Sequence, residues 1–235
     1  MLYNSILDYK KTRIAALVDP DKFSKEDLPI VAQTVEKFGL CFIMVGGSFV
    51  SSSVDETVAI LKQSCNLPIV LFPGSLLQVT NKADALFMLS LISGRNAEYL
   101  IGNHVVAAPF LRSSNLEIIP TGYMLIENGK TTSVEYMSNT MPIPEDKIDI
   151  AVATAMAGEM LGHKMIYLEA GSGALKHVPT QMIAEIKKKI NIPLIVGGGI
   201  RSRQQIEEVS KAGADIIVIG SILEKSLDYL QSLII

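Results

Sequence analysis

Three segments in the last third of the chain each run from an apolar stretch into a glycine-rich end: Met165-Ile-Tyr-Leu-Glu-Ala-Gly-Ser-Gly173, Leu194-Ile-Val-Gly-Gly-Gly-Ile200 and Ile216-Ile-Val-Ile-Gly-Ser221. Unbroken apolar runs of this length suit strands buried on both faces, as in a parallel sheet, and helix-length segments separate them. Glycine lets backbone N–H groups approach an anion closely, so three adjacent glycine turns form a phosphate cup. In a (β/α)8 barrel such a cup commonly lies at the ends of strands seven and eight. Tight turns alone also use glycine. Repetition at three successive strand ends favours a phosphorylated small-molecule ligand.

The remaining sequence is compatible with one barrel spanning residues 1–235 as a single domain, with no linker or low-complexity tract dividing it. Hydrophobic residues make up 49% and charged residues 19%, as a deeply buried parallel sheet requires. A net charge of −3 without a basic stripe removes the electrostatic case for nucleic acid. No apolar run approaches the roughly 18 residues that a membrane span needs. The N-terminus lacks the basic segment of a signal peptide, so a cytoplasmic location is expected. Cys41 and Cys65 have no metal-ligand spacing and are expected to be buried, reduced thiols.

Strand-like segments at 13–19, 40–45, 68–72, 85–89 and 117–126 precede the three glycine-ended ones, making eight. A helix with Leu28, Val31, Val35 and Phe38 on one face follows the first, with Asp27 its expected cap and Pro29 inside the first turn. Ser53 and Glu56, and later Ser202 and Gln205, have capping-box spacing. Gly74 to Asp84 is too short for an ordinary helical crossover. A helical segment at about 97–111, a polar excursion from Glu127 to Pro144 and a helix to about Leu161 complete the pattern. The expected fold is α/β: a modified (β/α)8 TIM barrel whose third helix is missing or replaced by a short loop.

Barrel sites lie at the C-terminal strand ends. Asp19 closes the first strand in Asp19-Pro20-Asp21-Lys22, and Ser48 closes the second. A carboxylate and a hydroxyl on neighbouring strands suit Mg2+, which takes oxygen ligands and keeps several waters. Asp-Pro-Asp is also a common turn, and Gly-Gly-Ser a common helix entry. Glu169 sits beside the proposed cup, where an acid repels phosphate unless it serves another part of the ligand. Accepting a hydroxyl proton is such a role, with Tyr167 orienting the hydroxyl. A buried carboxylate bonded to backbone N–H groups is the structural alternative. His104, His163 and His177 share no ligand spacing and are assigned no chemistry. Tyr99, Val105, Ala107 and Ala108 belong to an apolar surface whose small residues leave room for an extended hydrocarbon.

These residues carry a resemblance. Val18-Asp-Pro-Asp-Lys22, Val45-Gly-Gly-Ser48, Ser93-Gly-Arg-Asn96, His104-Val-Val-Ala-Ala-Pro109, Ile119-Pro-Thr121, Pro142-Ile-Pro144, Tyr167 to Gly173, Ile195 to Arg201 and Ile219-Gly-Ser221 span almost the whole chain in order. The chain resembles the geranylgeranylglyceryl phosphate synthases and their heptaprenylglyceryl phosphate synthase relatives, and looks like the archaeal-type group with bacterial members. The resemblance implies a barrel without its third helix. It implies a Mg2+-dependent prenyltransferase joining sn-glycerol 1-phosphate to a polyprenyl diphosphate through an ether.

Carried over, Asp19 and Ser48 bind Mg2+. Tyr167, Leu168, Glu169, Ala170, Gly171, Ser172, Gly173, Gly198, Gly199, Gly220 and Ser221 bind glycerol 1-phosphate, with Glu169 the base. In shorter-chain members a bulky residue blocks the far end of the groove, where this chain has Ala107 and Ala108. Geranylgeranyl is the expected chain, with heptaprenyl the alternative. Homodimers, or dimers assembled into hexamers, are the implied assembly. Two other readings compete. A phosphosugar isomerase with carboxylates on strands one and five needs an acid near Ile119–Tyr123, and none is there. A non-catalytic phosphate-binding barrel has no use for Asp19, Ser48 and Glu169 together.

Overall fold

The computed structural model describes residues 1–225, 229, 230 and 233. Eight parallel strands close into a barrel in chain order: β1 (Arg13–Val18), β2 (Ile43–Val45), β3 (Ile69–Leu71), β4 (Ala85–Leu91), β5 (Glu117–Leu125), β6 (Met165–Glu169), β7 (Leu194–Gly197) and β8 (Ile216–Ile219). Arg13 to Ala16 pair with Ile216 to Ile219 to complete the ring. The helices include α1 (Leu2–Leu7), α2 (Asp27–Lys37), α3 (Val54–Ser64), α4 (Asn103–Ser113), α5 (Ser133–Ser138), α6 (Ile148–Met160), α7 (Thr180–Lys187) and α8 (Arg203–Lys211).

Side chains alternate across each strand, so one set fills the barrel and the other meets the helices. Phe42, Met44, Phe87, Met165, Tyr167 and Ile195 pack inside. Ile43, Leu86, Ile166, Leu168, Val196 and Ile217 pack outward with α2, α3, α6, α7 and α8. In β6 this parity sends Tyr167 inward, and Glu169, two residues on, emerges on the same side at the mouth. At the opposite end α1 lies across the barrel floor. The Leu2 and Tyr3 amides donate to the Glu117 carboxylate, which satisfies free N–H groups at that helix start.

Between β3 and β4 the chain makes only a 3-10 turn, Leu76–Gln78, as the short link predicts. Gln78 is buried there. Its side-chain oxygen accepts from the Gly47 and Gly74 amides, each at 3.2 Å, and its amide nitrogen donates to the Gly47 carbonyl at 2.8 Å. One side chain thus ties the β2 turn to the segment that stands in for a helix.

Several sequence expectations need correction. β2 begins at Ile43 rather than residue 40, and β4 runs on to Leu91. Asp27 lies in the first turn of α2 rather than capping it. Its amide bonds the Ser24 carbonyl and hydroxyl, which starts the turn earlier. The segment before α4 is a π-helical turn, Glu98–Gly102. The polar excursion contains α5, entered through a Thr132–Glu135 capping box. The Ser202–Gln205 box forms in full, while Ser53 caps α3 and Glu56 pairs with Lys25 instead of closing its box. Cys41 is buried, Cys65 half-buried, and both are free thiols. No helix among the described residues is long and apolar enough to cross a membrane.

Candidate active site

The strand-end residues meet in one depression at the C-terminal mouth. Asp19, Ser48, Tyr167, Glu169, Ser172, Gly173, Gly198, Gly199, Gly220 and Ser221 all line it. Leu168 and Ala170 do not. Strand parity turns them into the apolar layer between barrel and helices, so only their backbone is near the mouth. Gly171 does not line it either: its amide donates to Glu169 Oε1 at 2.5 Å.

Glu169 retains 6% exposure. Burial pushes its carboxyl up to about 7, against the lowering effect of the Gly171 amide and the nearby Tyr167 and Tyr123 hydroxyls. The Tyr167 hydroxyl is close enough to act on that titration, but it is buried without a hydrogen-bond partner of proper geometry. A substrate hydroxyl between Tyr167 and Glu169 would satisfy it. A group poised near neutrality and aimed at such a position suits proton transfer.

Beside Glu169 the glycine turns form the cup. Gly198 and Gly199 have φ of 79° and 72°, left-handed values that favour glycine. A Cβ on Gly198 would lie 2.5 Å from Glu169 Oε1, and one on Gly199 would lie 2.4 Å from the Lys176 carbonyl oxygen. The amides of Gly173, Gly199 and Ser221 donate to no other group among the described residues. They remain available to an anion. Lys130, in the excursion, brings Nζ to 3.4 Å from the Cβ position of Gly173, adding a cation that strand-end reasoning did not find. Arg201, next to the cup, instead donates to the Ala174 carbonyl and holds the β6 loop.

Asp19 faces the β2 turn, with Oδ2 3.2 Å from the Cβ position of Gly47. Its Oδ1 accepts the Asp21 amide at 3.0 Å. Burial raises the Asp19 carboxyl above its ordinary value. Asp21 has a separate structural task. Hydrogen bonds from Ser52 and Ser51 hold its carboxyl at about 2 and fix the loop after β2. Glu224 also lines the mouth; burial and then the charge of Asp19 raise it. It follows the last strand in a turn, where no spacing marks it. Among the described residues no cluster of three or more His, Cys, Asp or Glu is placed to hold a metal. Asp19 and Ser48 both line the mouth and offer oxygen atoms, the ligand type that Mg2+ takes.

A second, apolar cleft joins this depression and runs down β4 beneath α4. Phe72, Val79, Leu86, Met88, Leu89, Tyr99, Ala107 and Leu111 line it, and the helix-free link between β3 and β4 forms part of its wall. Tyr99 and Ala107 lie where the hydrocarbon reading places them. Val105 and Ala108 do not: Val105 is 64% exposed and Ala108 is also exposed. Tyr99, Asn103, Ala107 and Leu111 recur every four residues along the inner stripe, which leaves 105 and 108 on outer faces. Leu86 and Leu111 line the cleft and are buried, whereas Ala108 does not line it. His104 lines the cleft too, and its Nε2 donates at 2.8 Å to the Leu89 carbonyl, beyond the last β3–β4 pair at Leu71 and Leu86.

Fold and site define a (β/α)8 barrel with a glycine-lined depression at its mouth and an apolar side cleft. A family model described as the PcrB family matches residues 7–234, and the chain belongs to that family. It is 47% identical to the geranylgeranylglyceryl phosphate synthase of Spirosoma linguale, over 96% of this chain and 92% of the relative. Against the Pyrococcus furiosus synthase it is 43% identical, over 92% and 86%. The (S)-3-O-geranylgeranylglyceryl phosphate synthase of Thermoplasma acidophilum, solved in complex with its substrate sn-glycerol-1-phosphate, superposes with a TM-score of 0.93. That match has 33% identity and covers 98% of this chain and 94% of that one.

Proposed function

We propose that this chain is a prenyltransferase that joins sn-glycerol 1-phosphate to geranylgeranyl diphosphate, giving geranylgeranylglyceryl phosphate and diphosphate. The observation that carries the reading is the meeting of a glycine cup, a buried acid and an apolar cleft at one barrel mouth. The relatives' names and the glycerol phosphate bound to the Thermoplasma acidophilum enzyme agree with it.

In this reading the amides of Gly173, Gly199 and Ser221, with Lys130, hold the glycerol phosphate. Tyr167 and Glu169 receive its C3 hydroxyl. Glu169 as carboxylate takes that proton while the oxygen bonds to C1 of the prenyl chain and the C1–diphosphate bond breaks. The apolar cleft keeps the chain extended and water away from the reacting carbon. Asp19 and Ser48 would hold Mg2+, which when bound neutralises charge on the leaving diphosphate.

The test is incubation with labelled sn-glycerol 1-phosphate and a ladder of prenyl diphosphates, followed by product mass. Geranylgeranylglyceryl phosphate as the favoured product is expected. A heptaprenyl product from the same ladder changes the chain but keeps the reaction. No ether from any donor rejects the reading and leaves a phosphate-binding barrel.

A further inference from the structure

Five residues line both the phosphate depression and the apolar cleft: Gly47, Ser48, Phe72, Tyr123 and Val134. If one cavity holds the acceptor and the other the chain, the new bond must form where they meet. Two of these five are aromatic, and Tyr167 completes a cluster with them. Ring centroids lie 5.1 Å apart for Phe72 and Tyr167, 5.4 Å for Tyr123 and Tyr167, and 5.8 Å for Phe72 and Tyr123. Phe72 and Tyr123 each keep 7% exposure, so the cluster is packed yet open to the cavities. The Phe72 backbone is also fixed, its amide donating to the Val45 carbonyl at 2.9 Å.

We infer that Phe72 is a catalytic residue whose π-electron face stabilises the positive charge developing at C1 of the prenyl donor, with Tyr123 and Tyr167 completing the aromatic wall. The inference rests on the proposed reaction and deepens it. As the C1–oxygen bond breaks, its electron pair leaves with diphosphate and C1 becomes electron-poor. The glycerol C3 oxygen supplies the pair for the new bond, and its proton passes to Glu169. Between these events a partial cation needs a partner that does not bond to it. Asp19 belongs to the metal and Glu169 to the hydroxyl proton, so neither carboxylate is left for the carbon. An aromatic face attracts a cation without acting as a nucleophile, and desolvation strengthens the attraction. Phe72 has no heteroatom, so beyond shape its π face is its only electrostatic contribution.

The experiment replaces Phe72 in the full-length enzyme with mono-, di- and trifluorophenylalanine, which drain π density while nearly preserving shape. Single-turnover rates are read with geranylgeranyl diphosphate and sn-glycerol 1-phosphate, alongside melting temperature and glycerol phosphate affinity. A stepwise fall of about tenfold or more across the series, with stability and affinity unchanged, is expected. Phe72→Leu provides a second measure. It should lose at least as much rate while holding KM for the prenyl donor within about twofold, the pattern of an interaction made only in the transition state. A flat fluorine series, or a leucine enzyme as fast as wild type, overturns the inference. Wild-type enzyme that makes no ether would instead overturn the reaction itself, so the two failures are distinct.

Discussion

Tyr167 packs directly over Gly197 on the neighbouring strand. A Cβ at position 197 would lie 2.2 Å from the phenol oxygen and 2.9 Å from Cζ. The two are diagonal neighbours across β6 and β7, two residues out of register, with Tyr167 opposite Ile195 and Glu169 opposite Gly197. The bare glycine leaves room for the Tyr167 ring against β7, within reach of Glu169. Gly197→Ala should therefore overpack the barrel, lowering stability by about 1–3 kcal/mol. Adding Tyr167→Phe removes the nearest clashing atom but not the ring, so the double variant should recover part of that loss. Denaturant unfolding of the single and double variants gives the coupling. Additive losses would show that the two residues do not press on one another.

Glu169 sets function against stability. Its folded value of about 7 lies above the ordinary 4.5. Between those values the folded state keeps a proton that the unfolded state has released, so stability falls as pH rises through the window and levels off above it. Glu169→Gln cannot ionise and escapes that fall. The variant should gain up to about 3 kcal/mol over wild type at pH above about 7, with the gain vanishing at acid pH. Its kcat should drop by ~10²-fold or more, and wild-type kcat/KM should rise with pH to a plateau with a midpoint of about 7. Unfolding curves and pH–rate profiles on the same preparations check both. Unchanged kcat with intact glycerol phosphate binding would sink the assignment of the base.

Asp19→Asn separates a metal ligand from a turn former. The amide oxygen can still accept the Asp21 N–H, so the loss of stability should stay within about 0.5 kcal/mol. The charge that attracts a cation is gone, and turnover at limiting Mg2+ should largely disappear. Activity titrated against Mg2+ decides the matter. Wild-type response to Mg2+ in the variant would leave Asp19 as a turn residue only.

The readable parts of this molecule were those governed by local periodicity. Apolar runs ending in glycine located β6, β7 and β8, and the short link after Gly74 disclosed the missing helix. Glu169 and Tyr167 were candidates because they close an apolar run at the barrel mouth, beside the glycine turns; the structure puts both in the depression there. Phe72, Gln78, Tyr123 and Lys130 were harder to find. Phe72 and Tyr123 look like ordinary strand residues, and Gln78 looks like a loop polar group. Their roles arise only when β2, the helix-free link and the excursion converge, through contacts such as that of Gln78 with Gly47, 31 residues away. The α4 stripe failed for a related reason. Apolar composition marked the segment, but facing depends on phase, and Val105 and Ala108 fall outside the four-residue repeat that lines the cleft.

That phase makes a direct contrast available. Ala107 lies on the inner stripe between Tyr99 and Leu111, while Ala108, next in sequence, is exposed. Ala107→Phe puts an aromatic ring into the cleft that Leu86 and Leu111 also line. Shorter donors such as farnesyl diphosphate should still react, while geranylgeranyl diphosphate should lose at least tenfold in kcat/KM, the scale for blocking part of an apolar pocket. Ala108→Phe adds the same side chain to an outer face and should leave the donor profile unchanged. Both variants keep the cup and Glu169, so KM for glycerol phosphate is the internal control and should stay constant. Competition among mixed donors, read by product mass, reports the profile in one tube. Equal effects from the two variants would mean that α4 does not present residues 99, 107 and 111 to the chain, and the cleft beneath it would have to be discarded as the site of the hydrocarbon.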